Sequence, residues 1–176
     1  MPAAPFSFRL ECIESPVGDM LVVADEQGRL RALGWADLEE RLKRTLTVLY
    51  GDLKLQTRPV APAIREALLA YLEGKLDAID QIRIETGGTA FQRSVWQGLR
   101  SIPVGTTMSY GDFAARIGRP KAVRAVGHAN GSNPICIVVP CHRLIGADGS
   151  LTGYGGGLPR KRWLLNHEAA AQGRLI

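Results

Sequence analysis

The sequence predicts an α/β protein of two small domains, one with a short antiparallel sheet and helices and one that is mostly helical. Three observations support this. Short apolar runs separated by turn residues fill the first 35 positions, helix-periodic apolar residues follow, and a Gly-Gly pair lies near the middle. We therefore predict domains over residues 1–86 and 87–176. A chain of 176 residues is long enough for a sizeable core.

Three strands are predicted at the start of the first domain, over residues 6–15, 20–24 and 30–35. They are rich in β-branched, aromatic and other apolar residues, and two tetrapeptide turns containing glycine and aspartate separate them. Such short, evenly spaced strands are typical of an antiparallel meander. The sequence thus predicts a three-stranded antiparallel sheet.

Two helices follow in the first domain. Asp37 is expected to cap the first, in which leucines recur about one turn apart, and Gly51 to end it. The second is predicted from Pro62 to Gly74. An extended stretch that includes Ile79 then leads to the boundary. We find no catalytic constellation in this half of the chain.

The second domain is predicted to begin with well-capped helices. Thr89 and Gln92 have the spacing of a capping box, and a similar box opens at Ser109. The turn at 118–120 separates two short helices, of which the second covers 121–129. Two short helices joined by a tight Gly/Pro turn predict a helix-turn-helix.

The predicted helix over 121–129 has few bulky side chains. Apart from Lys121, Arg124 and His128, its residues are small or apolar. Such a helix can bring its backbone close to a DNA groove while an exposed arginine projects into the groove. A plain buried helix has the same composition, and helix-turn-helix units also occur outside DNA-binding proteins. Pattern alone therefore leaves both interpretations open.

Charge distinguishes the two halves of the chain. Residues 1–88 carry 11 basic and 14 acidic side chains, whereas residues 89–176 carry 11 and 3. The resulting cationic excess in the second half suits a polyanionic partner. No apolar run reaches the roughly eighteen residues that cross a bilayer, and no signal sequence is evident. Three cysteines, an odd number, do not make a disulfide framework, so we expect a cytoplasmic protein without a membrane partner.

Cys141 is the candidate nucleophile. Five apolar residues, 135–139, predict a short buried strand or extended segment that Pro140 ends, and His142 and Arg143 follow the thiol. A thiol with an ordinary pKa of about 8.5 becomes a useful nucleophile beside a base or a positive charge. We expect the chain to leave the core after Pro140, which would expose the thiol to a partner.

The other cysteines have a simpler interpretation. Free cysteines are usually small buried hydrophobes, and this is what we expect of Cys12 and Cys136. A metal site built from Cys136, Cys141 and His142 is an alternative, although the spacing matches no paired-ligand zinc pattern. We therefore predict no metal and no cofactor.

Several motifs together resemble the O6-alkylguanine-DNA alkyltransferase family, whose members are methylated-DNA–protein-cysteine methyltransferases. They are Pro140-Cys141-His142-Arg143, residues 105–111, 124–127, 133–134 and 153–157, and the stretch from Lys161 to Glu168. They occur in the family's order and spacing. The resemblance implies an RNase H-like first domain and a winged-helix-like second domain.

The resemblance also implies an activity, which is direct DNA repair. An alkyl group on O6-alkylguanine, or on O4-alkylthymine, in duplex DNA would move irreversibly to Cys141. Each protein would act once, after minor-groove binding and base flipping. The partner implied is double-stranded DNA containing O6-alkylguanine, bound by a monomer, with cooperative binding along the duplex left open.

Roles for single residues follow from the same resemblance. Cys141 would attack the alkyl carbon, with His142 as base through a bridging water and Glu168 orienting His142. Tyr110 would donate its proton to the leaving guanine, and Asn133 would brace the turns around the site. The residues expected to contact DNA or line the pocket are Arg124, Lys121, Ala125, Gly127, Tyr154, Gly155 and Lys161. In this set Arg124 would fill the place of the flipped base.

The chain also departs from the family pattern. Gly155 and Cys136 stand where some members carry serine and proline, so we expect a roomier pocket. Some members bind zinc in the first domain, but only Cys12 is available here. Two rival functions remain open at this point: a cysteine hydrolase or protease, and a DNA-binding module that senses damage or represses without catalysis.

Overall fold

The computed structural model of the protein describes residues 5–174. The chain divides into two compact units between Gly87 and Gly88. Buried apolar side chains occur in both units. Within the described residues, no helix is both long enough and apolar enough to cross a membrane.

A mixed four-stranded sheet forms the centre of the N-terminal unit. Its strands are β1 (Phe6–Ile13), β2 (Met20–Ala24), β3 (Leu30–Trp35) and β4 (Leu53–Thr57), in the order β3-β2-β1-β4. The first three form the predicted antiparallel meander, whereas β4 runs parallel to β1 at the edge of the sheet. The prediction of a three-stranded, purely antiparallel sheet is therefore wrong.

The sequence pattern of β4 is too weak to indicate a strand. Three of its five side chains are exposed. An edge strand needs little buried surface, so its composition is close to that of a loop. β1 also ends at Ile13, earlier than predicted, because Ser15 already belongs to the turn. There the Ser15 hydroxyl accepts the N–H of Val17 at 3.3 Å.

The first helix of this unit, α1 (Glu39–Tyr50), packs one leucine face against the sheet. Leu42 and Leu46 are buried as the predicted periodicity requires. Asp37 is not the cap, because a short 3-10 turn (Ala36–Leu38) takes up this position before the helix begins. The cluster of buried residues that α1 joins consists of Phe8, Leu21, Val23, Ala32, Leu42 and Leu46.

A second helix and a 3-10 turn follow β4 in the N-terminal unit. Helix α2 (Pro62–Leu72) begins at the predicted proline. Ile79, which we expected in an extended stretch, lies in a 3-10 turn (Leu76–Gln81). Extended backbone starts at Ile82, directly after this turn, and Ile84 forms an isolated parallel bridge with Leu30.

The C-terminal unit begins with α3 (Ala90–Leu99), and its predicted capping box is confirmed. The Thr89 hydroxyl accepts the Gln92 N–H at 3.1 Å, and the Gln92 side chain accepts the Thr89 N–H at 2.9 Å. Farther along the helix, buried Trp96 donates its indole N–H to the Ala129 carbonyl at 2.8 Å. This bond ties α3 to the helix that contains Ala129.

A helix-turn-helix follows, formed by α4 (Tyr110–Arg116) and α5 (Val123–Gly131). α5 begins two residues later than predicted. The reason is a turn in which the Ala122 N–H bonds to the Arg119 carbonyl at 2.9 Å. Lys121 therefore lies on the turn that leads into α5.

Two short strands connect this motif to the rest of the unit. β5 (Met108–Ser109) immediately precedes α4, and β6 (Leu144–Ile145) pairs with it in parallel. Ser109 also caps α4, since its hydroxyl accepts the Asp112 N–H at 3.0 Å. The last helix, α6 (Leu158–Ala171), has a proline in its first turn.

The α1 helix allows a matched test of core packing. Leu46 is fully buried, while Val48, two residues away, is 84% exposed. We expect Leu46→Ala to lower the free energy of unfolding by about 2–5 kcal/mol, because it removes buried methyl groups and leaves a cavity. Val48→Ala should change it by less than about 0.5 kcal/mol. Urea denaturation followed by circular dichroism measures both. Equal effects would contradict the described packing of α1.

Candidate active site

The segment before Cys141 is a tight turn and not the predicted strand or extended segment. Residues 136–138 form the turn. The Asn133 side chain accepts the N–H of Ile135 at 2.9 Å and donates to the Val139 carbonyl at 2.8 Å. A side chain that satisfies these backbone groups replaces the pairing that a strand would need. The run is apolar because it is buried, and burial alone does not distinguish the two structures.

Cys141 begins a buried 3-10 turn, Cys141–Arg143. Only 4% of Cys141 is exposed, so the prediction that the chain leaves the core after Pro140 is wrong. The polar residues that follow the thiol stay inside because α6 supplies a charged partner for them. That partner is Glu168.

Glu168 joins His142 and Arg143 in one buried cluster. Its carboxylate lies 2.8 Å from His142 Nε2, and both side chains are 0% exposed. Arg143 donates Nε–H and Nη2–H to the two carboxylate oxygens at 3.0 and 2.8 Å, and Nη1–H to the Ile102 carbonyl at 2.8 Å. The Gly105 N–H lies 3.3 Å from the same carboxylate. A planar guanidinium matches a carboxylate in this two-bond geometry.

Electrostatics keep the carboxylate ionised and the imidazole neutral. Burial by itself would raise the pKa of Glu168, but His142 and Arg143 outweigh it and hold the pKa far below its ordinary value. Burial lowers the pKa of His142, although the neighbouring carboxylate opposes this. With Nε2–H donated to Glu168, the neutral ring presents Nδ1 as an acceptor. Nδ1 is buried and makes no hydrogen bond within the described residues.

The thiol of Cys141 has a lowered pKa. The largest influence is a hydrogen bond with the Cys136 thiol, which together with a bond from the Asn133 side chain outweighs the effect of burial. The positive charge of Lys161 acts in the same direction. Thiolates, and not thiols, are the nucleophilic form of cysteine. The surroundings of Cys141 therefore favour a reactive sulfur.

Lys161, which we expected to line the pocket, is fully buried. Its side chain is 0% exposed, and Nζ donates to the carbonyls of Leu144 and Thr152 at 2.5 and 2.8 Å. Burial lowers the pKa of its ammonium, while the Cys141 thiolate raises it. Lys161 thus pins β6 to the following loop and carries a charge that favours the thiolate.

Asn130, on α5, belongs to this site although the sequence analysis did not select it. Its amide Nδ2 donates to the Cys141 carbonyl at 3.4 Å. Its Oδ1 is buried without a hydrogen-bond partner in the described part of the chain. The sequence places Asn130 one helical turn after Val126, on the apolar face of α5. A polar side chain on a buried face requires a hydrogen-bond partner, and this could have indicated a role for Asn130. The bonds of Arg143 to Glu168 were also missed.

Other predicted residues lie on and around the helix-turn-helix. Tyr110 is half-buried, and a Cβ at Gly127 would lie 4.0 Å from its ring. Lys121, Arg124 and Ala125 are exposed. Within the described residues, neither Lys121 nor Arg124 makes a hydrogen bond or an ion pair. Both side chains are therefore available to a partner.

The glycine-rich loop before α6 carries the remaining predicted residues. Tyr154 and Gly155 are half-buried, and the Gly157 N–H bonds to the Tyr154 carbonyl at 2.9 Å. Gly157 itself has φ 92°, a conformation that favours glycine. Among the residues with described positions, no group of three His, Cys, Asp or Glu side chains could hold a metal ion.

A basic unit that combines a helix-turn-helix with a buried, low-pKa cysteine defines a DNA-binding protein with a thiol nucleophile. A family model described as 6-O-methylguanine DNA methyltransferase, DNA binding domain, matches residues 90–170. The methylated-DNA–protein-cysteine methyltransferase of Salmonella typhimurium is 51% identical over 162 residues, covering 90% of this chain and 94% of the relative. The chain belongs to the methylated-DNA–protein-cysteine methyltransferase family.

Solved structures agree with this assignment. The crystal structure of the Mycobacterium tuberculosis O6-methylguanine methyltransferase has a TM-score of 0.77 at 40% identity and covers 93% of this chain and 94% of its own. A structure of the Mycobacterium tuberculosis protein in complex with DNA gives the same values. The enzyme from Pyrococcus kodakaraensis has a TM-score of 0.65 at 27% identity, with 92% and 98% covered.

The buried carboxylate makes a prediction about stability. Glu168→Gln removes the charge that compensates Arg143, so it should lower the free energy of unfolding at pH 7 by about 3–5 kcal/mol. Since the folded pKa of Glu168 is depressed, its contribution is complete above the ordinary glutamate value of about 4.3 and is lost as the pH falls below it.

The difference between wild type and Glu168→Gln should therefore narrow as the pH falls from 5 towards about 3. Urea denaturation at several pH values measures it, and Glu66→Gln, on the exposed side of α2, is the matched control. A difference that stays constant across this range would contradict an ionised, stabilising Glu168.

Proposed function

We propose that this protein repairs DNA by moving the alkyl group of O6-alkylguanine, or of O4-alkylthymine, to its own Cys141. The observation that carries the proposal is the buried His142–Glu168 pair, 2.8 Å apart, next to a cysteine whose pKa is lowered. Family membership supports the same reaction. The transfer is stoichiometric because the product is an unactivated thioether, which water does not cleave.

The reaction is a displacement at the alkyl carbon. The Cys141 sulfur forms a bond to this carbon as the bond to guanine O6 breaks. His142 Nδ1 takes the thiol proton through a bridging water, while Glu168 holds Nε2–H and stabilises the imidazolium that results. Tyr110 donates its phenolic proton to the guanine, which gains negative charge as it leaves. Asn133 keeps the turn before Cys141 in place through its backbone bonds.

The nucleotide must leave the helix before the thiol can reach it. Extrusion of a base costs a few kcal/mol, and less for a damaged base that pairs badly. In the proposal α5 enters the minor groove, and exposed Arg124 fills the vacated place in the stack. Lys121 and the backbone near Ala125 and Gly127 contact the DNA backbone.

The extruded base then occupies a pocket beside Cys141. Tyr154 and Gly155 of the glycine-rich loop form one wall, and the buried charge of Lys161 acts on the O6 side. Because Gly155 has no side chain, we propose that the pocket accepts alkyl groups larger than methyl. The charge of the C-terminal unit favours DNA over an uncharged partner.

Three further features belong to this proposal. The N-terminal unit is RNase H-like and the C-terminal unit winged-helix-like, as the resemblance implies. The protein acts as a monomer on the duplex. It works in the cytoplasm, where a reducing environment keeps Cys141 as a free thiol.

A single mass measurement tests the acceptor. After mixing with an equimolar duplex containing O6-methylguanine, the peptide that contains Cys141 should gain one methylene. Cys141→Ala should show no transfer, whereas Cys12→Ala should behave as wild type because Cys12 lies in the other unit. Repeated turnover by one protein molecule, or transfer by Cys141→Ala, would refute the proposal. Burst release of an acyl product from other substrates would favour a hydrolase.

Arg124 allows base extrusion to be separated from chemistry. We expect Arg124→Ala to slow transfer from the duplex by about tenfold or more, since about 1–3 kcal/mol of stacking is lost. Transfer from the free base O6-methylguanine should be unchanged, because nothing needs to be extruded. Arg44→Ala, an exposed cation on α1, is the control and should alter neither rate. Equal slowing with both substrates would exclude a role in extrusion.

A further inference from the structure

Asn130 is a buried polar side chain that the mechanism above does not use. It lies on α5, is 4% exposed, and donates its amide Nδ2 to the Cys141 carbonyl at 3.4 Å. Only the nitrogen of a carboxamide can bond to a carbonyl oxygen, because the opposite orientation would place two acceptors against each other. The bond therefore fixes the orientation of the amide. It leaves Oδ1 as a buried acceptor that makes no hydrogen bond within the described residues.

The same bond places the Asn130 amide beside the turn that contains the nucleophile. The Cys141 carbonyl belongs to the peptide group that joins Cys141 to His142. Ring atom Nδ1 of His142 is also buried without a hydrogen-bond partner in the part of the chain that the structure describes. Because Nε2–H is donated to Glu168, Nδ1 is an acceptor. Two unused acceptors, Asn130 Oδ1 and His142 Nδ1, thus belong to side chains that meet at one peptide group.

The other polar side chains around this turn are already paired. Both ends of the Asn133 amide bond to backbone groups of the preceding turn. The Glu168 carboxylate is held by His142 and Arg143, and the Lys161 ammonium donates to two backbone carbonyls. Asn130 differs from Asn133, Glu168 and Lys161 because one of its polar atoms remains free to accept a hydrogen bond.

We propose that Asn130 is a positioning residue of the alkyl transfer: its Oδ1 holds the water that carries the thiol proton from Cys141 to His142. The inference rests on the proposed function, in which His142 acts through a bridging water. A buried water usually makes about three hydrogen bonds. Here the water donates one hydrogen to Asn130 Oδ1 and the other to His142 Nδ1, and it accepts the S–H of Cys141.

This arrangement balances the proton transfer at each atom. As the Cys141 sulfur attacks the alkyl carbon, its S–H proton passes to the water oxygen. The water gives the hydrogen that faces Nδ1 to the ring, so the water is neutral again and His142 becomes an imidazolium. The hydrogen bonded to Asn130 Oδ1 does not move. It orients the water between donor and acceptor, so Asn130 acts through the water and His142 and not on the sulfur itself.

The first test compares Asn130→Ala with Asn130→Ser, two side chains of similar size of which only serine has an acceptor oxygen. Single-turnover transfer from an O6-methylguanine duplex is measured from mildly acidic to alkaline pH. We expect Asn130→Ala to be about tenfold slower or more at the acid end, because positioned proton transfer is lost. It should approach wild type at the alkaline end, where the sulfur is already a thiolate. Asn130→Ser should recover part of the loss.

A double-mutant comparison with His142 separates positioning from packing. In a His142→Gln background, Asn130→Ala should slow transfer by less than about twofold, because the water no longer serves a base. Asn166→Ala, an exposed asparagine on α6, is the matched control and should change neither rate. A packing role would instead slow transfer by the same factor in both backgrounds, at every pH and equally for alanine and serine, which would overturn the inference.

Nitrogen NMR of the imidazole rings gives a readout that needs no DNA. The chain has three histidines, and His142→Gln identifies the signals of His142. Asn130→Ala should move the Nδ1 signal towards that of a ring nitrogen without a hydrogen bond and leave Nε2, bonded to Glu168, in place. An unmoved Nδ1 signal with methyl still found on Cys141 would overturn the inference, and the proposed function would stand. Methyl found elsewhere would refute both.

Discussion

A buried carboxylate connects the parts of the reactive site. Glu168 comes from α6, yet it holds the side chains that follow Cys141 and bonds to Gly105 N–H beyond the end of α3. An ionised carboxylate inside a protein is stable only when its oxygens are fully paired, and here an arginine and an imidazole pair them. The same bonds that permit burial also orient the imidazole. Stability and chemical competence therefore depend on one group.

Neighbouring hydrogen-bond donors and a nearby positive charge explain how one small buried site can favour a thiolate over a thiol. Taken alone, burial opposes ionisation of Cys141, and the neighbouring donors and Lys161 must exceed it. Some of these groups lie in the turn directly before Cys141, whereas Lys161 lies far along the chain, near the start of α6. The exposed cations near α5 do not take part. In the proposed function, recognition of DNA and activation of the sulfur thus depend on different residues of the same unit.

Sequence reasoning succeeded where a signal is local. The meander, the Thr89 capping box and the start of α2 depend on residues close together in the chain, and all are present. It failed where the structure of a segment depends on contacts that its own sequence pattern does not show. β4 is recognisable only beside β1, and the run before Cys141 turns because Asn133 takes up its backbone groups. Among the site residues, the motif pointed to Cys141 and His142, but the guanidinium bonds of Arg143 required the fold.

The two-residue ladder between β5 and β6 has a mechanical consequence. β5 runs directly into the first turn of α4, and β6 leaves directly from the Cys141–Arg143 turn. The helix-turn-helix and Cys141 are therefore both connected to this pair of strands, with almost no intervening chain. A displacement of α4 that shifts β5 therefore also acts on β6 and on the turn that precedes β6.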